Sequence, residues 1–182
     1  DLYRISNEIS FLKRSLILCL LDNNACGLSG YIGMIESGAV AQLVSVDSSD
    51  QLLEKLIKLY RPSFLWLPIC RAKDYPASKL VYEIGNYCLL KVNEDYVDLY
   101  PELTLLLSTS GSTGSPKFVR LSKDNVLSNA KSIVDYLKLD QNDLPITSLP
   151  PSYTYGLSII HSHILVGATI AVTDKSIFDR GF

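Results

Sequence analysis

No sign of charge dominates this sequence: 17 Lys and Arg stand against 19 Asp and Glu, for a net charge of −2. The basic residues are scattered, which argues against nucleic acid or an anionic membrane as partner. Cysteine is sparse, and Cys19, Cys26, Cys70 and Cys88 show no C-x-x-C spacing. That pattern argues against metal ligation and a disulfide framework, and predicts reduced, buried thiols in a cytoplasmic protein. The continuous apolar run Ser15 to Leu21 is too short to span a bilayer, and the residues before it do not form a signal peptide. There is no internal repeat. With 47% hydrophobic and 20% charged residues in 182, the chain is globular and long enough for one domain with a core of its own.

What is present is concentrated in one stretch. Leu103 to Leu107 is an apolar run with the character of a buried strand. It empties into Ser108, Thr109, Ser110, Gly111, Ser112, Thr113, Gly114 and Ser115, and the loop closes on Pro116 and Lys117. Glycines let backbone N–H groups turn inward, the hydroxyls add donors, and Lys117 brings a mobile positive charge. The simplest ligand for such a nest is a polyphosphate. A flexible linker shares the composition but is not flanked by a buried strand and by Phe118-Val119-Arg120-Leu121. A Walker loop does not fit either. Gly111 and Gly114 are only three apart, Pro116 precedes the lysine, and Phe118 stands where Ser or Thr would hold magnesium.

The rest of the chain alternates strands and helices. Residues 1–13 form the end of an amphipathic helix through Leu2, Ile5, Ile9 and Leu12. With no starting Met and a helix entered midway, we expect a piece of a longer protein. A strand at Ser15 to Leu21 is followed by a helix at Gly27 to Ser37, with Tyr31, Ile32 and Ile35 inward. The evenly spaced Gly27, Gly30 and Gly33 give that helix a small-residue packing stripe rather than a dinucleotide fingerprint. A strand at Ala39 to Val46, a helix at Gln51 to Tyr60 and a strand at Phe64 to Leu67 follow. This order implies right-handed crossovers in an α/β fold, with a mainly parallel, doubly wound sheet and helices on both faces. Trp66 and the tyrosines belong to core and rim. Leu80 to Ile84 and Tyr87 to Val92 make a hairpin about Gly85-Asn86, and Asp95 and Asp98 sit in a solvated turn rather than forming an acid–base pair.

Beyond the loop, a strand at Phe118 to Leu121 leads to a helix at Lys123 to Leu137, capped by Ser122. Strand Ile146 to Leu149 then meets an aromatic turn, Pro150-Pro151-Ser152-Tyr153-Thr154-Tyr155-Gly156, before an apolar helix at Leu157 to Leu165. An aromatic turn at the mouth of a parallel sheet can wall an organic substrate. His161 and His163 on that helix are hydrogen-bonded core or interface residues. A last strand covers Gly167 to Val172.

Thr109 to Lys117 closely resemble the phosphate loop of the adenylate-forming synthetases, the AMP-binding enzymes that include acyl-CoA synthetases, peptide-synthetase adenylation domains and luciferases. The family pattern is Thr-Ser-Gly-Ser/Thr-Thr-Gly-x-Pro-Lys, and every defined position matches; Phe118 replaces the glycine that usually follows. Leu149 to Gly156 resemble the family's Leu-Pro-x-x-His-x-x-Gly, with Tyr153 where histidine is commonest. The resemblance spans about residues 15–175 and implies part of the large N-terminal domain of a ligase that activates a carboxylic acid with Mg-ATP. The product is an acyl-adenylate, passed on to coenzyme A or to a carrier-protein phosphopantetheine. It further implies Thr109, Ser110, Gly111, Ser112, Thr113, Gly114 and Lys117 as phosphate ligands, and Tyr153, Tyr155 and Gly156 as the border of the acyl pocket. The family's Gly-Tyr-Gly-x-Thr-Glu adenine motif and its C-terminal domain with the catalytic lysine are absent from these residues. We therefore assign no catalytic residue and no metal ligand here, and expect weak ATP binding and no adenylate formation from these residues alone. A non-catalytic nucleotide- or phosphate-binding module is the alternative, and a purely structural domain a third reading.

Overall fold

The structure is a computed structural model and describes residues 2–108, 117–173 and 175. Its frame is a seven-stranded sheet in the order β4-β5-β3-β1-β2-β6-β7. The centre is parallel: β1 (Leu16–Leu21) lies between β2 (Val40–Ser45) and β3 (Phe64–Pro68), and β2 pairs with β6 (Leu103–Ser108). The margins are antiparallel. The hairpin of β4 (Lys79–Ile84) and β5 (Tyr87–Lys91) extends the sheet beyond β3, and β7 (Phe118–Ser122) pairs with β6. The four central strands run in parallel because each follows a helical crossover or a long excursion, whereas a short reversal can only produce antiparallel neighbours.

Side chains alternate between the two faces with period two. Ile17, Cys19 and Leu21 of β1 face α2 (Ala25–Glu36), while Leu18 and Leu20 face Leu53 and Leu56 of α3 (Asp50–Tyr60). Both faces are covered, so β1 is buried at every position, which is why its sequence is continuously apolar. α2 approaches the sheet very closely. A Cβ on Gly30 would lie 2.1 Å from Trp66 Cζ2, one on Gly27 would lie 2.7 Å from Tyr87 Cζ, and Trp66 Nε1 donates to Gly27 O at 3.0 Å. The glycine stripe is thus a packing surface, its third member, Gly33, meeting Ile5 of α1 (Leu2–Glu8). Among the buried polar side chains, Gln42 is the one at the centre of the sheet. It is fully buried, and neither amide atom has a hydrogen-bond partner among the described residues, a cost of about 1–3 kcal/mol.

Several helix ends have an identifiable cause. Asn24 accepts from Cys26 N and Gly27 N to start α2, and Ser49 accepts from Leu52 N to start α3. Ser122 and Asn125 form a reciprocal capping box on α4 (Lys123–Leu137). α2 ends where Gly38, at φ +84°, lets Gly38 N donate to Ile35 O and Ala39 N to Met34 O, a Schellman turn that delivers the chain into β2.

Four sequence-based expectations need correction. The predicted helix 1–13 is split: α1 ends at Glu8, and Ser10–Leu12 form a separate 3-10 turn that still buries Ile9 and Leu12. The strand expected at Ile146 to Leu149 is only β8 (Ile146–Thr147), because its parallel partner β9 (Ala171–Val172) offers two residues. The expected strand from Gly167 shrinks to β9 because Gly167, at φ +74°, is a helix cap: Ala168 N donates to His163 O and Gly167 N to Ile164 O. Of the thiols expected to be buried, Cys70 is exposed, on the 3-10 turn after β3.

The Gly30–Trp66 contact gives a direct test. Gly30→Ala forces its new methyl into the indole, so we expect a loss of about 2 kcal/mol or more. Thermal unfolding should show Tm falling by roughly 4–8 °C, a shift appropriate to a chain of this length.

Candidate active site at the carboxyl edge of the sheet

β6 and β7 pair in register Ser108↔Phe118, so residues 109–117 leave and re-enter the sheet at adjacent positions. This base sits at the carboxyl ends of the parallel strands, where open α/β sheets place their ligands. Phe118 anchors it: its ring meets Tyr60 edge-on at 5.5 Å and packs against the α3 side of the core. The aromatic residue that replaces the family's usual glycine is therefore a packing residue. Lys117 is exposed at the entrance to β7. Thr109, Ser110, Gly111, Ser112, Thr113 and Gly114, the predicted phosphate ligands, lie outside the described residues.

A crevice of about 640 Å³ opens beside this base. Val44, Leu52, Leu56, Phe118 and Val119 form an apolar wall, and Ser45, Ser48, Ser108, Ser152 and Thr154 contribute polar groups. No described lining residue is charged. Ser152 is the unusual member: it is 4% exposed, and its Oγ, closed to solvent, has no hydrogen-bond partner among the described residues.

The aromatic turn is shorter than expected. α5 spans Thr154–Leu165, so Tyr155 and Gly156 belong to its first turn, and extended Tyr153 is the residue that caps it. The three predicted substrate-side residues are not brought to one surface. Tyr153 lines the crevice, whereas Tyr155 faces a separate groove between α4 and α5 with Tyr136 and Leu137. Gly156 is buried under the loop before it, where a Cβ would lie 2.5 Å from Pro150 O and 2.7 Å from Leu149 O. Sequence reasoning missed Ser45, Ser48 and Ser152. The one available signal was Ser152's place after Pro150-Pro151, where the chain must turn.

The remaining candidates are structural. Asp95 is exposed and pairs with Arg61 at 2.9 Å. His163 Nδ1 lies 2.8 Å from Ile159 O in its own helix. His161 Nε2 lies 3.0 Å from Tyr31 Oη, with the two rings stacked at 5.9 Å. Burial lowers the His161 pKa to about 4 and raises that of Tyr31, so both are neutral near pH 7. Among the described residues, the charges lining the cavity that His161 enters are Glu36 and Lys123, paired at 3.4 Å. Among the described residues no three His, Cys, Asp or Glu side chains gather as a metal site, and no helix is long and apolar enough to cross a membrane.

The sequence profile of the AMP-binding enzymes matches residues 12–181, and the chain belongs to that family. It is 25% identical over 183 residues to the D-alanine–D-alanyl carrier protein ligase of Listeria monocytogenes serotype 4a, covering 94% of this chain and 35% of that protein. The same ligase of Streptococcus pyogenes serotype M5 is 22% identical over 186 residues, with the same two coverages. ATP-bound MatB from Rhodopseudomonas palustris superposes with a TM-score of 0.77 at 20% identity, over 98% of this chain and 40% of that one. O-succinylbenzoate coenzyme A synthetase (MenE) from Bacillus subtilis, in complex with AMP, gives 0.73 at 20% identity, over 96% and 49%. These structures share the fold. The chain spans about a third of the length of the curated relatives it matches.

Burial of neutral His161 has a pH signature. An unfolded histidine binds its proton near pH 6.5, and the folded one only near 4. The unfolded state therefore holds more protons between these values, and stability falls as pH drops from 6.5 towards 4, by up to about 3 kcal/mol. In unfolding curves across that range we expect His161→Gln to flatten the slope; an unchanged slope would exclude His161 as its source.

Proposed function

We propose that these residues are part of the N-terminal adenylation domain of an AMP-forming ligase that activates a carboxylic acid with ATP. A carboxylate oxygen attacks the α-phosphorus, the bond to the β-phosphate breaks, and pyrophosphate leaves as the acyl-adenylate forms. The thiol of coenzyme A or of carrier-protein phosphopantetheine then attacks the acyl carbon, the acyl–phosphate bond breaks, and AMP leaves as the thioester forms. One observation carries the proposal: in a chain of the AMP-binding family, the Ser/Thr/Gly loop ending in Lys117 is rooted at the Ser108–Phe118 pair, at the carboxyl edge of a parallel sheet. The acceptor is left as a thiol because the relatives' names include both a carrier protein and coenzyme A.

The crevice beside the loop fits a polar ligand with an organic part, since it joins hydroxyls to an apolar wall. Bound ATP supplies the electrophilic phosphorus and the leaving group. The chain's own task is to hold charge and position: Thr109 to Gly114 surround the outer phosphates with N–H and hydroxyl donors, and Lys117 neutralises negative charge on the departing group. Tyr153 borders the organic part of the acid. We assign Mg2+ to no side chain of this segment; it enters with the nucleotide, through the phosphates and water. The adenine-binding segment and the C-terminal domain with its lysine lie, on this proposal, outside these residues.

The test is ATP–pyrophosphate exchange by the full-length protein with a panel of carboxylic acids. We expect acid-dependent exchange that Lys117→Ala lowers about 10- to 100-fold, the worth of one charge-assisted hydrogen bond. ATP binding without exchange for any acid would replace the ligase with a nucleotide-binding module.

A further inference from the structure

We propose that the cavity between α2, α4 and α5 is a binding site for a small uncharged ring compound that carries one oxygen acceptor, such as a ketone, and that His161 holds that oxygen. The site is separate from the ligase chemistry. It lies on the α2 face of the sheet, and none of its described lining residues belongs to the crevice against α3.

The cavity has a volume of about 260 Å³, and Ile32 and Ile35 of α2, Val126 and Ala130 of α4, and Ile164 of α5 supply its apolar wall. An aliphatic cavity of roughly 150 Å³ takes a benzene molecule, so there is room here for a ring with a substituent. A rigid ring fills such a space without surrendering rotamer freedom. Among the described residues, the charged groups of the lining are Glu36 and Lys123; they pair with each other, and both side chains are about half exposed. No counter-charge is left among the described residues for a bound ion, which selects a neutral ligand.

His161 decides which polar group that ligand carries. The imidazole lines the cavity, and its Nε2 lies 3.0 Å from Tyr31 Oη. Tyr31 is fully buried, and His161 Nε2 is the one hydrogen-bond partner of its hydroxyl among the described residues. A buried hydroxyl proton left without an acceptor is costly, so Tyr31 donates and Nε2 accepts. The proton of the neutral ring is then on Nδ1, which no described residue engages. Nδ1–H is therefore a donor without an acceptor, and a carbonyl or ether oxygen supplies one. A ligand with only an N–H brings a second donor to the same place and gains no hydrogen bond.

The test follows the isoleucine, leucine and valine methyls of the full-length protein by NMR during titration with acetophenone, ethylbenzene and benzoate. We expect acetophenone to shift the Ile32, Val126 and Ile164 methyls saturably. Benzoate should be at least about tenfold weaker at these methyls, because its charge finds no partner there. Ala130→Leu fills the cavity and should abolish acetophenone binding, while methyls elsewhere report an intact fold. Tyr31→Phe combined with His161→Phe removes hydroxyl and imidazole together and leaves neither unpaired. It should lower the affinity for acetophenone relative to that for ethylbenzene about three- to tenfold, the loss of one neutral hydrogen bond. In the imidazole nitrogen spectrum, the His161 proton should sit on Nδ1. The inference fails if acetophenone leaves these methyls unmoved, if benzoate matches it, if Ala130→Leu keeps wild-type affinity, if the double variant preserves the ratio, or if the proton is on Nε2. None of these readouts involves ATP or acid activation, so the ligase reading stands or falls separately, by pyrophosphate exchange.

Discussion

The close seating of α2 on the sheet is the constraint from which the rest of the structure follows. Gly27 and Gly30 bring the helix backbone onto the rings of Tyr87 and Trp66, nearer than any side chain would allow, and the Trp66 indole donates to the helix it lies under. Trp66 and Tyr87 sit on neighbouring antiparallel strands, so the one contact ties the parallel centre to the β4–β5 margin. With α2 on one face and α3 on the other, β1 and β2 are covered on both sides, and their carboxyl ends are left as the place where polar chain can emerge.

Polarity follows that division. The interior is aliphatic and aromatic, with Gln42 the conspicuous exception, while hydroxyls gather at the carboxyl edge: Ser45 and Ser48 after β2, Ser108 at the end of β6, Ser152 before α5. Neutral donors at a helix start and a sheet edge can hold anions without burying a counter-charge, which avoids the desolvation cost of ion pairs. Phe118 complements this by locking the base of the loop to Tyr60, so the loop springs from a fixed point.

The legible part of the fold was the part written in hydrophobic periodicity. β1, α3, β3 and α4 lie within a residue or so of their predicted bounds because each combines an apolar pattern with a recognisable cap or stop, such as Ser49 and Ser122. The packing role of the glycine stripe was legible for the same reason. The errors cluster where tertiary pairing decides. Gly167 closes a helix rather than opening a strand, and β8 is cut short by the reach of β9. Thr154 to Gly156 join α5 although their residue types suit a turn, because extended Tyr153 lets the helix begin early. Ser152 offered only its place after Pro150-Pro151 as a signal, since what distinguishes it, a buried oxygen with no partner among the described residues, is a property of packing.

The central claim is that nucleotide binds at the carboxyl edge of the sheet, around the base of the 109–117 loop. Amide hydrogen exchange with and without saturating Mg-ATP tests it most directly. We expect slowed exchange in peptides spanning 108–118, with the β4–β5 hairpin unchanged as an internal control. Slowing confined to the hairpin, or none at all at ATP concentrations that saturate binding, would contradict the account.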